Sequence, residues 1–218
     1  MTHTKVLITG KDSKQRCFWC GDDEQYVAYH DLQWARPVVD DIALYEKICL
    51  EGFQAGLSWL TILRKRESFR DAFRDFEPRV VANFKQRDIA RLMKNESIVR
   101  HRGKIEAAIN NAQATLEVQK EFGSFATFIW SFRPDPKIGG KNKTPKRITD
   151  IKTSTDESAA LSKALRQRGF KFVGPTTMYA AMQSLGLVND HFEGCYVRDL
   201  CSREQAVASK KFASNIVA

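Results

Sequence analysis

The chain has 218 residues, 43% of them hydrophobic and 11% aromatic, so it can fold around a packed core as one domain or two small lobes. Its formal net charge of +9 favours a polyanionic partner, with nucleic acid ahead of an anionic membrane, although a basic enzyme with solvated lysines would have the same charge. The sequence contains no apolar run long enough for a membrane span or a signal-peptide core, so we expect a cytoplasmic protein with reduced cysteines.

The N-terminal half is predicted to be helical after a mobile leader, residues 1–15, with at most one short extended piece. Apolar residues recur there at spacings of three and four, which is the pattern of amphipathic helices. The predicted helices cover 41–53, 58–73, 87–95, 98–119 and 124–132. A loop at 133–150, rich in proline, glycine and lysine, follows them.

The C-terminal half predicts two more helices. One should have its N-cap among residues 153–155 and end near Arg168, with Gly169 suited to the position after its last turn, and a final short helix should start at Pro175. Residues 202–218 are expected to be a polar tail with some helical capacity. The predicted fold is therefore all-α, with one domain over 16–201 in which two lobes share a core.

Residues 158–186 are predicted to form a hairpin of two helices joined by a glycine turn. Such a turn points backbone N–H groups outward at the start of the second helix, where they can bind a phosphate without reading a base. An ordinary corner between two helices has the same spacing, and the neighbouring lysines and arginines favour the DNA backbone. The candidate DNA-binding residues are Gly169, Lys171, Gly174 and Thr176.

Histidine and cysteine occur in two pairs that suggest a metal site. His191 and Cys195 are four residues apart, and Cys17 and His30 are thirteen apart. Together they would complete a tetrahedral shell of two thiolates and two imidazoles, as in structural zinc sites. Cys20 forms the more familiar C-x-x-C spacing with Cys17, so spacing leaves Cys20 and His30 open as the second ligand. Burial without a metal would also account for His191 and Cys195.

Three blocks of sequence resemble the 3-methyladenine DNA glycosylase I family, and they cover Cys17 to Cys195 in order. They are CFWCGDDEQYVAYHDLQW with YEKICLEGFQAGLSWLTILRKRE, then IVRHRGKIEAAINNA, then KALRQRGFKFVGPTTMYAAMQSLGLVNDHFEGC. The resemblance implies a helix-hairpin-helix DNA glycosylase fold with a zinc clip between the N- and C-terminal regions, and it favours His30 over Cys20. The family's HDxEWG reads HDLQWA here, so Gln33 replaces an acid and Ala35 a glycine.

The same resemblance implies a monofunctional base-excision repair enzyme, a glycosidase that hydrolyses the N-glycosidic bond of 3-methyladenine in double-stranded DNA, with 3-methylguanine as a second candidate base. Glu51 would read the edge of the flipped base, while Tyr29 and Trp59 stack on it and Tyr26 and Trp34 form the pocket wall. An unpaired carboxylate in the apolar end of a helix would be costly, which singles out Glu51 on physical grounds as well. Aromatic residues taken singly are more often core.

Other positions near the hairpin are assigned structural roles. Asn189 and Asp190 lie where many helix-hairpin-helix glycosylases keep a catalytic aspartate, but the resembling family is regarded as lacking it. The zinc would be structural, since four protein ligands leave no open position for water. The alternative function is a non-catalytic, zinc-stabilised DNA-binding module. We expect a monomer.

Overall fold

The computed structural model describes residues 5–135 and 144–213, and within these ranges the chain is predominantly helical. Strands β1 and β2 pair antiparallel, with Leu7 opposite Cys17. The elements in chain order are β1 Leu7–Thr9, β2 Gln15–Cys17, α1 Glu24–Leu32, α2 Asp41–Gln54, α3 Trp59–Arg64, α4 Arg66–Ala72, α5 Pro78–Val81, α6 Gln86–Lys94, α7 Arg102–Phe122, α8 Phe125–Trp130, α9 Asp156–Gln167, α10 Pro175–Ser184 and α11 Arg198–Ala213.

Helix α2 is the centre of the fold and packs against α7 and α10. It begins where the side chain of Asp40 accepts a hydrogen bond of 2.8 Å from the backbone N–H of Ala43. Most of its apolar residues are buried, Leu44 and Phe53 among them, while Ile42 near its start is half-buried. The Asp41 carboxylate accepts hydrogen bonds from the first N–H groups of α8, which fixes the position of α2 relative to that helix.

The predicted helix over 58–73 is two helices. The chain bends at Lys65, whose ψ of 0° ends α3 and precedes α4. The side chain of Lys65 donates hydrogen bonds to the carbonyl oxygens of Glu96 and Ser97, in the loop after α6. A tertiary contact therefore fixes the bend, which the helical periodicity did not predict. The other helices predicted over 41–132 are present, with bounds shifted by a few residues.

Two expectations about the chain ends need correction. The helix at Pro175 is not the last, because α11 occupies most of the segment that we expected to be a polar tail. Gln205 in α11 is buried and donates hydrogen bonds to the carbonyl oxygens of Ala35 and Val188, so this helix packs on the domain. At the other end, the expected leader includes the whole of β1 and the first residue of β2.

The basic loop predicted at 133–150 is only partly within the described residues, because 136–143 fall outside them. Its last part forms a short 3-10 turn at Ile148–Asp150. Pro145, just before this turn, accepts a hydrogen bond of 2.9 Å from the backbone N–H of Glu193. Among the described residues, no helix combines the length and the apolar character that crossing a membrane would require.

Candidate active site and metal centre

A cavity of about 300 Å³ opens between α1, α2, the start of α3 and the C-terminal end of α10. This volume is at the lower end of the range for small-molecule sites, which runs from about 300 to 1,000 Å³. The structure brings together here all five residues that the sequence assigned to a base pocket. They are Tyr26, Tyr29, Trp34, Glu51 and Trp59.

Glu51 places a carboxylate at the wall of this cavity. Its side chain is 4% exposed, and its Oε1 accepts a hydrogen bond of 3.0 Å from the hydroxyl of Ser184. The ammonium of Lys47, one helical turn earlier, lies 3.8 Å from the same oxygen. Burial raises the pKa of Glu51, while Lys47 and Ser184 act in the opposite direction. The cavity wall therefore carries a buried carboxyl group whose ionised form is favoured by Lys47 and Ser184 and opposed by burial.

The aromatic side chains form a continuous lining. Tyr26 and Tyr29 stack with ring centroids 6.3 Å apart, and Tyr29 is tilted against Trp59 at 5.5 Å. Trp19 continues the lining, since its ring lies 5.2 Å from that of Tyr26 and meets Trp34 edge to face at 5.0 Å. Flat rings beside one carboxylate suit a planar ligand with hydrogen-bond donors on its edge, and a cationic ring would gain further attraction.

Asp190 also lines the cavity, but protein groups already use its carboxylate. Its Oδ2 accepts hydrogen bonds from the hydroxyl of Tyr179 at 2.6 Å and from the amide of Gln183 at 2.7 Å. Asn189 faces away, where its amide donates to the carbonyl oxygen of Arg198 and to Ser202. Its Oδ1 accepts a hydrogen bond of 3.3 Å from the backbone N–H of His191. Asn189 therefore holds the loop that carries His191.

The four predicted metal ligands, Cys17, His30, His191 and Cys195, converge in one buried cluster, with their ligand atoms all within 4.8 Å of one another. The sulfurs of Cys17 and Cys195 are each 3.4 Å from Nδ1 of His191, and Nε2 of His30 is 3.5 Å from the sulfur of Cys195. These short distances between four donor atoms suit a tetrahedral metal ion.

The second nitrogen of each imidazole is held by an oxygen. Nδ1 of His30 is 2.8 Å from the carboxylate of Asp31, and Nε2 of His191 is 3.4 Å from the carbonyl oxygen of Trp34. Such outer contacts orient metal-binding histidines. Cys20 is outside the cluster and donates its thiol hydrogen to the carbonyl oxygen of Cys17. The geometry thus chooses His30 where spacing had left Cys20 as an alternative.

The turn between α9 and α10 carries three of the four candidate DNA-binding residues, and Thr176 lies in the first turn of α10. Gly169 has a φ of +86°, which glycine adopts without strain, and Gly174 precedes Pro175 at the start of α10. Lys171 and Thr176 are exposed. The amide of Asn111 in α7 exchanges two hydrogen bonds with the backbone of Lys171, at 3.0 and 2.8 Å, so the turn is held against the core.

Both departures from the resembling family have a local structural setting. Gln33 accepts a hydrogen bond from the guanidinium of Arg66. Ala35 is fully buried and has a φ of +62°, a conformation in which glycine would be less strained. Trp34, between them, still reaches the cavity.

Several residues at this site were missed by the sequence reasoning. Ser184 and Lys47 lie on predicted helices, but helical spacing did not indicate that they face Glu51. Trp19 and Gln183 line the cavity from the N-terminal turn and from α10. For Lys47 the sequence did contain an indication that was not used: it is a charged residue four positions before Glu51 on the same predicted helix.

These features define a predominantly helical protein whose aromatic cavity, with one buried carboxylate, suits a planar ligand, and whose glycine turn before α10 carries an exposed lysine. A family model for methyladenine glycosylase matches residues 19–199. The DNA-3-methyladenine glycosylase of Haemophilus influenzae is 49% identical over 180 residues, which cover 83% of this chain and 96% of that protein. The DNA-3-methyladenine glycosylase 1 of Escherichia coli is 48% identical over 182 residues, covering 83% and 95%.

A solved structure agrees with these sequence matches. The crystal structure of a 3-methyladenine DNA glycosylase I variant in complex with 3-methyladenine superposes with a TM-score of 0.78 at 40% identity, covering 84% of this chain and 97% of that one. The chain belongs to the methyladenine glycosylase family. The family resemblance read from the three sequence blocks, and the prediction of an enzyme, are thereby confirmed.

Proposed function

We propose that this protein excises 3-methyladenine from alkylated double-stranded DNA by flipping the damaged nucleotide into the cavity. The observation that carries the proposal is the buried carboxylate of Glu51 within an aromatic lining. N3-methylation gives adenine a positive charge, so the damaged base gains from both the carboxylate and the rings. An undamaged adenine is neutral and gains less. We include 3-methylguanine as a second candidate base.

The reaction needs little proton transfer. When the bond between the base nitrogen and the sugar C1′ breaks, its electron pair neutralises the cationic base, which leaves as free 3-methyladenine. Positive charge then develops on the sugar, water adds its oxygen to C1′ and its proton passes to solvent. Glu51 accepts a hydrogen bond from the amino edge of the base, and Tyr29 and Trp59 hold the ring in place. Tyr26 and Trp34 form the wall. Asp190, whose carboxylate oxygen already accepts two hydrogen bonds, takes no part in this scheme.

We further propose that the buried cluster is a structural zinc site. Cys17, His30, His191 and Cys195 would fill the coordination shell, so the metal supplies cross-linking of the chain rather than an activated water. The cluster joins the end of β2 and helix α1 to the loop that follows α10. Supporting observations are the burial of all four ligands and the oxygen contacts of both imidazoles.

The α9–turn–α10 segment is proposed to be a helix-hairpin-helix element that binds the DNA backbone. The exposed Lys171 and the free N–H groups at the start of α10 would contact phosphate oxygens, with Gly169 and Gly174 allowing close approach and Thr176 beside them. These contacts position DNA without reading its sequence. We propose that the protein acts as a monomer in the cytoplasm, where its free thiols stay reduced.

The competing function is a non-catalytic DNA-binding module that keeps the hairpin and the zinc. Glu51 argues against it, because a module that only binds the backbone gains nothing from a buried carboxylate. The test is to incubate the protein with methylated duplex DNA and to identify released bases by chromatography. Free 3-methyladenine is the expected product, with no strand cleavage by a lyase step. Folded protein that binds this DNA but releases no base would favour the module.

A further inference from the structure

A second cavity of about 130 Å³ lies behind the aromatic wall of the base cavity. The two cavities share Tyr29, Trp59 and Ser184, so these residues separate them. The second cavity is rich in charge and includes the side chain of Lys47, which does not line the base cavity. A cation is therefore placed directly behind the surface that the base would contact.

The ammonium of Lys47 has specific contacts. Its Nζ donates a hydrogen bond of 2.7 Å to the hydroxyl oxygen of Tyr29. It lies 3.8 Å from the ring centroid of Trp59 and 4.7 Å from that of Tyr29. It is also 3.8 Å from Oε1 of Glu51, and the Lys47 side chain is 13% exposed. The proposed excision reaction assigns roles to Tyr29, Trp59 and Glu51 but none to Lys47.

We propose that Lys47 is a positioning residue for base recognition, which keeps Glu51 ionised and leaves the Tyr29 hydroxyl hydrogen free to donate to the flipped base. The inference rests on the proposed function. An ammonium offers only donors, so the Tyr29 oxygen must accept, and the hydroxyl hydrogen of Tyr29 points elsewhere. Lys47 thus presents a matched acceptor on Glu51 and donor on Tyr29 to the edge of one base.

The charge of Glu51 depends on Lys47 because burial opposes ionisation. Burial raises the pKa of Glu51, and the cation of Lys47 is the foremost influence that lowers it. Burial also lowers the pKa of Lys47 to about 8. The other titratable or charged groups around the pair, from α1, α2, α4 and the loop after α10, are Tyr26, Tyr29, Glu46, Arg66, Arg70 and Asp190.

These directions predict a bell-shaped pH dependence. Below the pKa of Glu51 the carboxylate becomes protonated, and it then accepts hydrogen bonds from Ser184 and from the amino group of the base less well. Above a pH of about 8, Lys47 loses its proton and with it the charge that favours Glu51 ionisation. Recognition is strongest between these limits, where both groups are charged. Removing the ammonium should raise the pKa of Glu51 and abolish the alkaline limb.

The position of Lys47 also argues against a covalent role. A Schiff base would require its nitrogen to reach the sugar C1′, but Tyr29 and Trp59 lie between the ammonium and the base cavity. The lowered pKa of Lys47 therefore affects the ionisation of Glu51 and does not prepare Lys47 for nucleophilic attack. Borohydride treatment during the reaction should trap no protein–DNA adduct, and a trapped adduct that disappears in Lys47→Met would overturn the positioning role.

The test compares the pH profile of 3-methyladenine release from methylated duplex DNA, under single-turnover conditions, for wild type and Lys47→Met. We expect the acid limb to move to higher pH, the rate at any pH below the Glu51 pKa to fall about tenfold for each unit by which that pKa rises further, and the alkaline limb to vanish. The Tm should fall, since the variant leaves the buried carboxylate of Glu51 without its cation, so the rates are compared at a temperature at which both proteins are folded. The control is Lys94→Met at an exposed position on α6, which should keep both limbs.

A second variant, Lys47→Gln, distinguishes the effect of the Lys47 charge from that of its hydrogen bond to Tyr29. It also keeps the proposal testable if Lys47→Met fails to fold. Lys47→Gln is neutral and retains an N–H donor near Tyr29, so its acid limb should move as well. Wild-type release with unchanged profiles in the folded variants would show that Lys47 only fills space. Wild-type protein that is folded but releases no base would instead contradict the proposed function itself.

Discussion

The hydroxyl of Ser184, the last residue of α10, donates a hydrogen bond of 3.0 Å to Glu51 near the end of α2. Helix α10 begins at the glycine turn proposed to bind the DNA backbone. One helix therefore connects the proposed phosphate contacts at its N-terminus with the orientation of the carboxylate at its C-terminus. Its ten residues hold the proposed phosphate contacts and the proposed base contact at a fixed distance from each other.

Replacing Ser184 with alanine should weaken base recognition without unfolding the protein. A hydrogen bond to a charged group contributes about 1.5–3 kcal/mol, so we expect excision of 3-methyladenine to fall by roughly tenfold or more. The pKa of Glu51 should rise, which would displace the acid limb of the rate to higher pH. Ser209→Ala, on α11, is the matched control. Equal kcat/KM values for both variants would mean that Ser184 does not act on Glu51.

Replacing Glu51 with glutamine should abolish most excision and leave the fold intact. Glutamine keeps the shape but removes the charge that favours a cationic base. Because the pKa of Glu51 is raised in the folded protein, its contribution to stability is present at low pH and is lost as pH rises through the folded pKa. The Tm of the variant at neutral pH should therefore be equal or higher. Excision assays and thermal melts check both statements.

The sequence predicted which residues line the site better than it predicted the contacts between them. Helical periodicity located α2, and family blocks led to Glu51 and its aromatic neighbours, because these residues lie within short motifs. Ser184 was missed because its contact with Glu51 joins positions that are distant in the chain. The break at Lys65 was missed for the same reason, since the contacts that fix it come from the loop after α6.

Helix α11 shows the limit of composition as evidence. The segment from 202 onward is polar, so the sequence predicts a polar tail with some helical capacity and no packing against the domain. Its structure depends instead on a few residues on one face, including Gln205 and Ala208, which are buried. The choice between Cys20 and His30 likewise needed three dimensions, because local spacing favours one and the folded cluster contains the other.

Asp190 should be dispensable for excision. Its carboxylate accepts hydrogen bonds from Tyr179 and Gln183, so Asp190→Ala leaves two donors unpaired and should lower stability by about 1–3 kcal/mol. We expect folded Asp190→Ala to release 3-methyladenine within a few-fold of the wild-type rate. If it were folded and inactive while Glu51→Gln kept full excision, the catalytic roles proposed above would have to be exchanged.

The buried cluster should contain about one zinc per chain when the protein is prepared without chelators. Metal analysis by emission spectroscopy checks the stoichiometry. His30→Ala should lose the zinc and lower the Tm, whereas Cys20→Ser should retain it, because Cys20 lies outside the cluster. Excess chelator should lower the Tm of the wild-type protein. A metal-free wild type with an unchanged Tm would exclude the zinc clip.

Lys171 on the turn should contribute to DNA affinity through a phosphate. Lys171→Ala is expected to weaken binding to duplexes of different sequence by similar factors, and to reduce the slope of log K against log salt by about 1. Fluorescence anisotropy over a range of salt concentrations measures both. Lys94→Ala, at an exposed position on α6, serves as the control and should keep the wild-type slope. An unchanged slope in Lys171→Ala would place the DNA contact elsewhere.

The departure at Ala35 should make the protein less stable than it could be. Ala35 has a φ of +62°, a left-handed conformation that costs an alanine about 1–2 kcal/mol and glycine very little. Ala35→Gly should therefore raise the Tm, with a gain of about 1 kcal/mol after the lost methyl burial.

Gly186 offers the opposite test, since it has a φ of +76° and an added Cβ would lie 2.6 Å from the carbonyl carbon of Arg36. Gly186→Ala should lower the Tm strongly. Thermal melts of the two variants in the same buffer provide the test. Backbone strain at Ala35 predicts that the Tm rises in Ala35→Gly and falls in Gly186→Ala. A lower Tm in both variants would show that the Ala35 methyl group is needed for packing.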